Sequence, residues 1–146
     1  MFNRLRVKTG GESGFTLVEL LIVMLILALL AGIGIPAFFS QREKARDVDA
    51  KHAAGAAGRA AETVAVNNGG AYDGPSGVTV PNLVSVEDTL TNANLTVANV
   101  GPKTYTVRVT ADSGHWFEYS RSAAGNITTA CSPPGEGGCP SDGVWN

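Results

Sequence analysis

The chain has 146 residues, 44% of them hydrophobic and only 16% charged, with a formal net charge of -2. That length supports one modest domain around one core and excludes a multidomain enzyme. A small negative charge without clustered Lys and Arg argues against direct nucleic acid binding, and the low charge content means either a neutral surface or segregated apolar residues.

They are segregated. Residues 1–14 carry Arg4, Arg6 and Lys8 against Glu12, and then Phe15 to Phe39 holds twenty apolar residues out of 25. Leu20 to Phe39 is free of charge, which as a helix is roughly 30 Å, the thickness of a bilayer's hydrocarbon core. The basic start places the N-terminus in the cytoplasm and the rest of the chain on the outer side. Arg42, Lys44 and Arg46 oppose that orientation, but Glu43, Asp47 and Asp49 are interleaved with them.

From Ser40 to about Val66 the pattern stays helical, rich in alanine and free of proline, with Asp47 spaced to pair with Lys51 one turn on. One helix is expected from Phe15 to near Asn67. Gly55 and Gly58 each cost about 1 kcal/mol relative to alanine, so this half needs packing for its stability. Asn67, Asn68, Gly69 and Gly70 end it.

Residues 68–103 are rich in Gly, Pro, Asn, Ser and Thr and read as a long surface loop with at most a short strand or a turn of helix. The period then becomes two. Thr104 to Thr110 alternates Tyr105, Val107 and Val109 against Thr and Arg108. Ala111 to Gly114 is a turn, His115 to Ser120 a returning strand, and Asn126 to Cys131 a third. Residues 104–131 are therefore expected to form an antiparallel meander covered by the Ala-rich helix, an α+β fold with a long N-terminal helix on a small sheet.

The sharpest chemical signal is Glu19, a lone acid at the start of the apolar run. A carboxylate there needs a partner, and no basic residue within the run supplies one. A new α-amino group would, if the chain were cut after Gly14, since the amine of Phe15 would enter the same apolar layer. Phe15 and Glu19 are about one turn apart in one chain, so the pairing can also form between chains and set an axial register. Gly32, Gly34 and Pro36 weaken the far end of the run, because Pro36 lacks the donor that would bond the Gly32 carbonyl; a kink or local melting is expected there.

The segment GFTLVELLIV resembles the class III signal of type IV pilins, of the type IVa kind. The resemblance implies cleavage by a prepilin peptidase between Gly14 and Phe15, methylation of the new Phe15 amine, and a leader of residues 1–14. It implies a transmembrane and filament-core helix over 15–39 and a soluble pilin head over 40–146. The chain would be a single-pass cytoplasmic membrane protein before assembly and part of an extracellular filament afterwards. Its partners would be other copies of itself in a helical homopolymer, the inner-membrane assembly machinery and minor pilins. The alternatives are a pseudopilin of a type II secretion system, which shares the signal, and a membrane-anchored extracytoplasmic binding module. The family often closes a C-terminal loop with a disulfide, and outside the cytoplasm Cys131 and Cys139 would pair rather than remain as two free thiols. Glu12-Ser13 before Gly14 departs from the family, where many members have a basic residue.

No enzymatic role, metal or cofactor is expected. His52 and His115 read as isolated surface or edge residues, and two cysteines without further ligands nearby do not make a metal site. Asp112, Ser113 and His115 are the residue types of a nucleophilic triad, but four positions in a turn give no reason for them to converge. Phe117 and Tyr119 share one strand face and Trp116 the other. Asn94 and Asn126 each open an N-x-T sequence, the acceptor pattern for glycosylation.

Overall fold

The computed structural model describes residues 14–145, so most of the expected leader lies outside the described residues. The chain divides into two compact units, Met1–Ala37 and Phe38–Asn146. Helix α1, Leu17–Asn67, starts two residues later than expected because Thr16 caps it: its hydroxyl accepts the Glu19 N–H at 3.2 Å. The helix is continuous through Gly32, Gly34 and Pro36. At its end the Gly70 N–H bonds back to the Ala65 carbonyl at 2.7 Å, which satisfies a carbonyl that has no partner within the helix.

In the second unit, α1 buries Ala50, Ala54, Ala57, Ala61, Val64 and Ala65. A face of small residues fills little space by itself, so the sheet supplies the volume, with Tyr105 and Phe117 fully buried opposite it. The sheet has four antiparallel strands in the order β1 (Leu95–Gly101), β2 (Thr104–Thr110), β3 (Trp116–Arg121) and β4 (Ile127–Ser132). The fold is α+β, a long N-terminal helix with a small antiparallel sheet in the pilin-like arrangement.

The expected loop over 68–103 is corrected: it contains helix α2 (Val80–Val86), a 3-10 turn (Asp88–Asn92) and β1, so the sheet has four strands rather than three. Thr79 caps α2 through its hydroxyl, and Pro81 sits in the first turn, where its missing N–H costs nothing. Leu83 and Leu90, 0% and 1% exposed, pin these short pieces to the core. In β1, Leu95 pairs with Val109 and Val97 with Val107, after which a bulge between Ala98 and Gly101 breaks the alternation. Only two inward apolar residues remain before the bulge, too short a period to read from sequence.

Register sets the faces of the sheet. Val107 opposes Tyr119 and Val109 opposes Phe117 on the inner face, while Arg108 opposes Glu118 on the outer. There the Arg108 guanidinium bonds Glu118 at 2.7 Å and lies 4.1 Å from the centre of the Trp116 ring. Trp145 tucks inward, packing edge-on to Phe117 and donating its indole N–H to the carbonyls of Ala130 and Glu118 at 2.9 and 3.1 Å. Cys131 and Cys139 form a disulfide, with their Cα atoms 5.7 Å apart.

Candidate functional site

Two polar clusters tie the head together. Asp47 is fully buried on α1 and faces the β2–β3 turn and the C-terminal loop, not Lys51. Its Oδ1 accepts the Ser113 hydroxyl at 2.6 Å, and its Oδ2 meets the His115 Nδ1 and the Gly138 N–H, each at 2.7 Å. An ionised carboxylate only accepts, so Nδ1 carries the ring proton. Burial pushes the Asp47 carboxyl up, but hydrogen bonds from Ser113, His115 and Gly138 and the histidine's charge outweigh it and hold the group below the ordinary aspartate value.

The second cluster gathers on Glu62. Its Oε2 accepts Tyr72 at 2.7 Å and its Oε1 accepts Tyr105 at 3.0 Å, with Arg121 3.3 Å away. Tyr105 also reaches the Gly58 carbonyl at 3.1 Å, so one side chain of β2 holds two successive turns of α1. Burial first, and then the Glu62 carboxylate, raise both phenols, Tyr72 to about 12, so they stay neutral and remain donors.

The sequence-predicted triad types are therefore only partly assembled. Ser113 and His115 do converge, on Asp47 rather than Asp112, and Ser113 donates to the carboxylate instead of to the histidine ring. The nucleophile–base bond of a triad is absent from this arrangement. Asn126 is exposed on the β3–β4 turn, and Asn94 lines an open cleft of about 280 Å³ together with Arg46, Asp49 and Asp112.

At the other end, Gly14 and Phe15 precede α1, and Phe15 is 83% exposed. Glu19 lies exposed in the first turn, with its N–H on Thr16 and no ion-pair partner among the described residues. The large apolar side chains from Leu17 to Phe39 are all exposed, from 49% at Ile26 to 80% at Leu17. An apolar surface of this extent is stable only against lipid or other apolar helices. By length and composition this part of α1 can cross a membrane, and none of its most apolar stretch is buried.

Residues 10–35 match the family model of the prokaryotic N-terminal methylation motif. This motif is the class III signal peptide of type IV pilins. Comparison with curated proteins and with solved structures gave no match. The motif supports a protein of the type IV pilin or pseudopilin type, and it implies processing by a prepilin peptidase. The apolar α1 and the Cys131–Cys139 disulfide fit a type IV pilin, and the helix and motif together fit membrane anchoring.

The motif residues were legible in the sequence because each breaks a local rule: an acid in an apolar run, a small residue before Phe15. Asp47, Ser113, His115 and Gly138 were not. Asp47 stands among alternating charges, and the only available signal was that it falls in the small-residue register of Ala50, Ala54, Ala57 and Ala61, on the face that turned out to be buried.

Proposed function

We propose that the protein is a structural subunit of a type IV pilus filament, held in the membrane by residues 15–39 until assembly. The observation that carries this reading is the methylation motif running directly into an unburied apolar helix, followed by a compact disulfide-closed head. Cleavage between Gly14 and Phe15 creates an amine at the edge of the apolar layer. Glu19 of a neighbouring subunit then neutralises it, and the pair sets the axial register as the apolar helices bundle away from water. The Gly32, Gly34 and Pro36 segment is where α1 yields during packing, because the Gly32 carbonyl has no N–H donor at Pro36.

The head supports a pilus subunit over a type II secretion pseudopilin. The family's major pseudopilins resemble calcium binders in their C-terminal loop, whereas the acids after this sheet are only Glu136 and Asp142, beside a disulfide. The measurement that separates a processed pilin-type subunit from an anchored binding module is mass spectrometry of the N-terminal peptide from cells of the source organism. A methylated Phe15 is expected; a chain still beginning at Met1 would overturn the reading and favour an anchored binding module. Calcium-dependent thermal stability of the protein would favour the pseudopilin.

A further inference from the structure

The two ties that hold the C-terminal loop sit on adjacent residues. Cys139 is bonded to Cys131 at the end of β4, and Gly138 donates its N–H to Asp47 on α1. Residues 133–138 take no part in the β3–β4 ladder, which ends at the Trp116–Ser132 pair, and their other backbone bonds are local turns within 133–140, such as Gly135 to Cys139 and Pro140, and Cys139 to Glu136. Both glycines are shaped to the carboxylate. A Cβ at Gly137, whose φ is +53°, would fall on Asp47 Oδ2 and 2.6 Å from the His115 ring; one at Gly138 would lie 2.8 Å from the Asp47 Cβ. Three donors from two segments thus converge on one fully buried carboxylate, and only one of those donors belongs to the loop.

We propose that Asp47 is a charge-dependent catch for the C-terminal loop: as a carboxylate it docks residues 133–138 on α1, and its protonation, or two-electron reduction of the disulfide to two thiols by an added dithiol, releases them while the sheet stays folded. Protonation removes the charge that strengthens all three bonds: a proton on Oδ2 faces the N–H groups of His115 and Gly138, and one on Oδ1 is accepted by the Ser113 hydroxyl once it turns, so in either case the Gly138 tie loses its charge-assisted acceptor. The other charges on the packed elements are directed elsewhere. On α1, Lys51 lies 5.9 Å from the centre of the Phe117 ring, Arg46 and Asp49 line the open cleft, and Glu43 and Lys44 are exposed. On the turn, Asp112 faces that same cleft, and on the loop Glu136 is exposed. His115 is the one titratable group in contact with Asp47 among the described residues.

Hydrogen exchange of the full chain in detergent micelles, read by mass spectrometry with the disulfide intact, tests this. Near neutral pH, Asp47→Asn should speed exchange of the 133–139 segment by about tenfold or more, the effect of about 1.4 kcal/mol on an opening equilibrium, with β2 and β3 unchanged. Cys131→Ser with Cys139→Ser should release the same segment. Lowering the pH of the wild type through the ordinary aspartate value of about 3.9 and on towards the lower folded value should raise its loop exchange progressively towards the Asp47→Asn rate after correction for intrinsic exchange. Unchanged loop exchange in Asp47→Asn, or equal acceleration in every strand, would overturn the proposal. Should Asp47→Asn not fold, Ser113→Ala removes one donor only; it should give a smaller increase confined to the loop, and no increase there would also overturn it.

Discussion

Gly55 and Gly58 lie three positions apart on the Ala-rich half of α1, yet an added methyl group meets different surroundings at each. At Gly55 the nearest atoms would be on Arg59 and Trp145, at 3.5 and 3.9 Å, ordinary contact. At Gly58 the methyl would sit 2.5 Å from the Tyr119 ring, which is packed between the rings of Tyr105 and Trp145. Gly55→Ala should therefore stabilise the head by about 0.5–1 kcal/mol through helix propensity. Gly58→Ala gains the same propensity but overpacks at about 1–3 kcal/mol, for a net loss that thermal unfolding of the two variants should show as opposite shifts in Tm. Asp47 supplies the second residue-scale expectation. Its carboxyl is depressed in the folded state, so the stability it contributes is fully present above the ordinary aspartate value of about 3.9 and is lost as pH falls through the lower folded value. Asp47→Ala, which strands three half-buried donors, should cost about 1–3 kcal/mol near neutral pH, and the gap to wild type should shrink in melts at about pH 3.

Elements inherit these residue-level constraints. The Ala-rich half of α1 is a weak helix in isolation, and its stability comes from the layer of Tyr105, Phe117, Tyr119 and Trp145 that fills the space its small side chains leave. The C-terminal segment has little regular structure and depends on its ties. Cys131 and Cys139 close a loop with a sequence separation of 8, for which the chain-entropy relation gives about 2–3 kcal/mol. Replacing both with serine should lower stability by about that amount in denaturant unfolding, read as a lower midpoint. The connecting segment shows where sequence patterns run out: α2, the 3-10 turn and β1 are each seven residues or fewer, and what holds them is burial of Leu83, Leu90 and Leu95, a property of their neighbours. The β2 and β3 strands were readable because each keeps a period of two over its own length.

For the whole molecule, the unburied apolar surface of residues 17–39 is the feature that demands other chains or lipid. In the proposed filament Glu19 pairs with a neighbour's new amine, so Glu19→Ala should leave the head's unfolding midpoint and the membrane-bound pool unchanged. Sheared filament yield should fall by about tenfold or more, as expected when one charge of a desolvated pair is removed. Wild-type filament yield from that variant would sink the pairing. Glu19→Gln, which keeps the shape and removes the charge, separates an electrostatic role from packing.

The sequence by itself determined the parts whose signal is local. These are the methylation motif at residues 10–35, the apolar run long enough to cross a membrane, the α+β class, and the two central strands with their faces. Such features follow from the spacing of apolar and charged residues along a few turns or one strand. Only the tertiary structure decided that Asp47 turns to Ser113, His115 and Gly138, that Glu62 collects Tyr72, Tyr105 and Arg121, that Gly58 must lack a side chain, and that Trp145 completes the core. Those partners are separated by up to 91 positions. A hydrogen bond or a close ring contact depends on ångström-scale approach between surfaces, and no pattern along one segment carries that information.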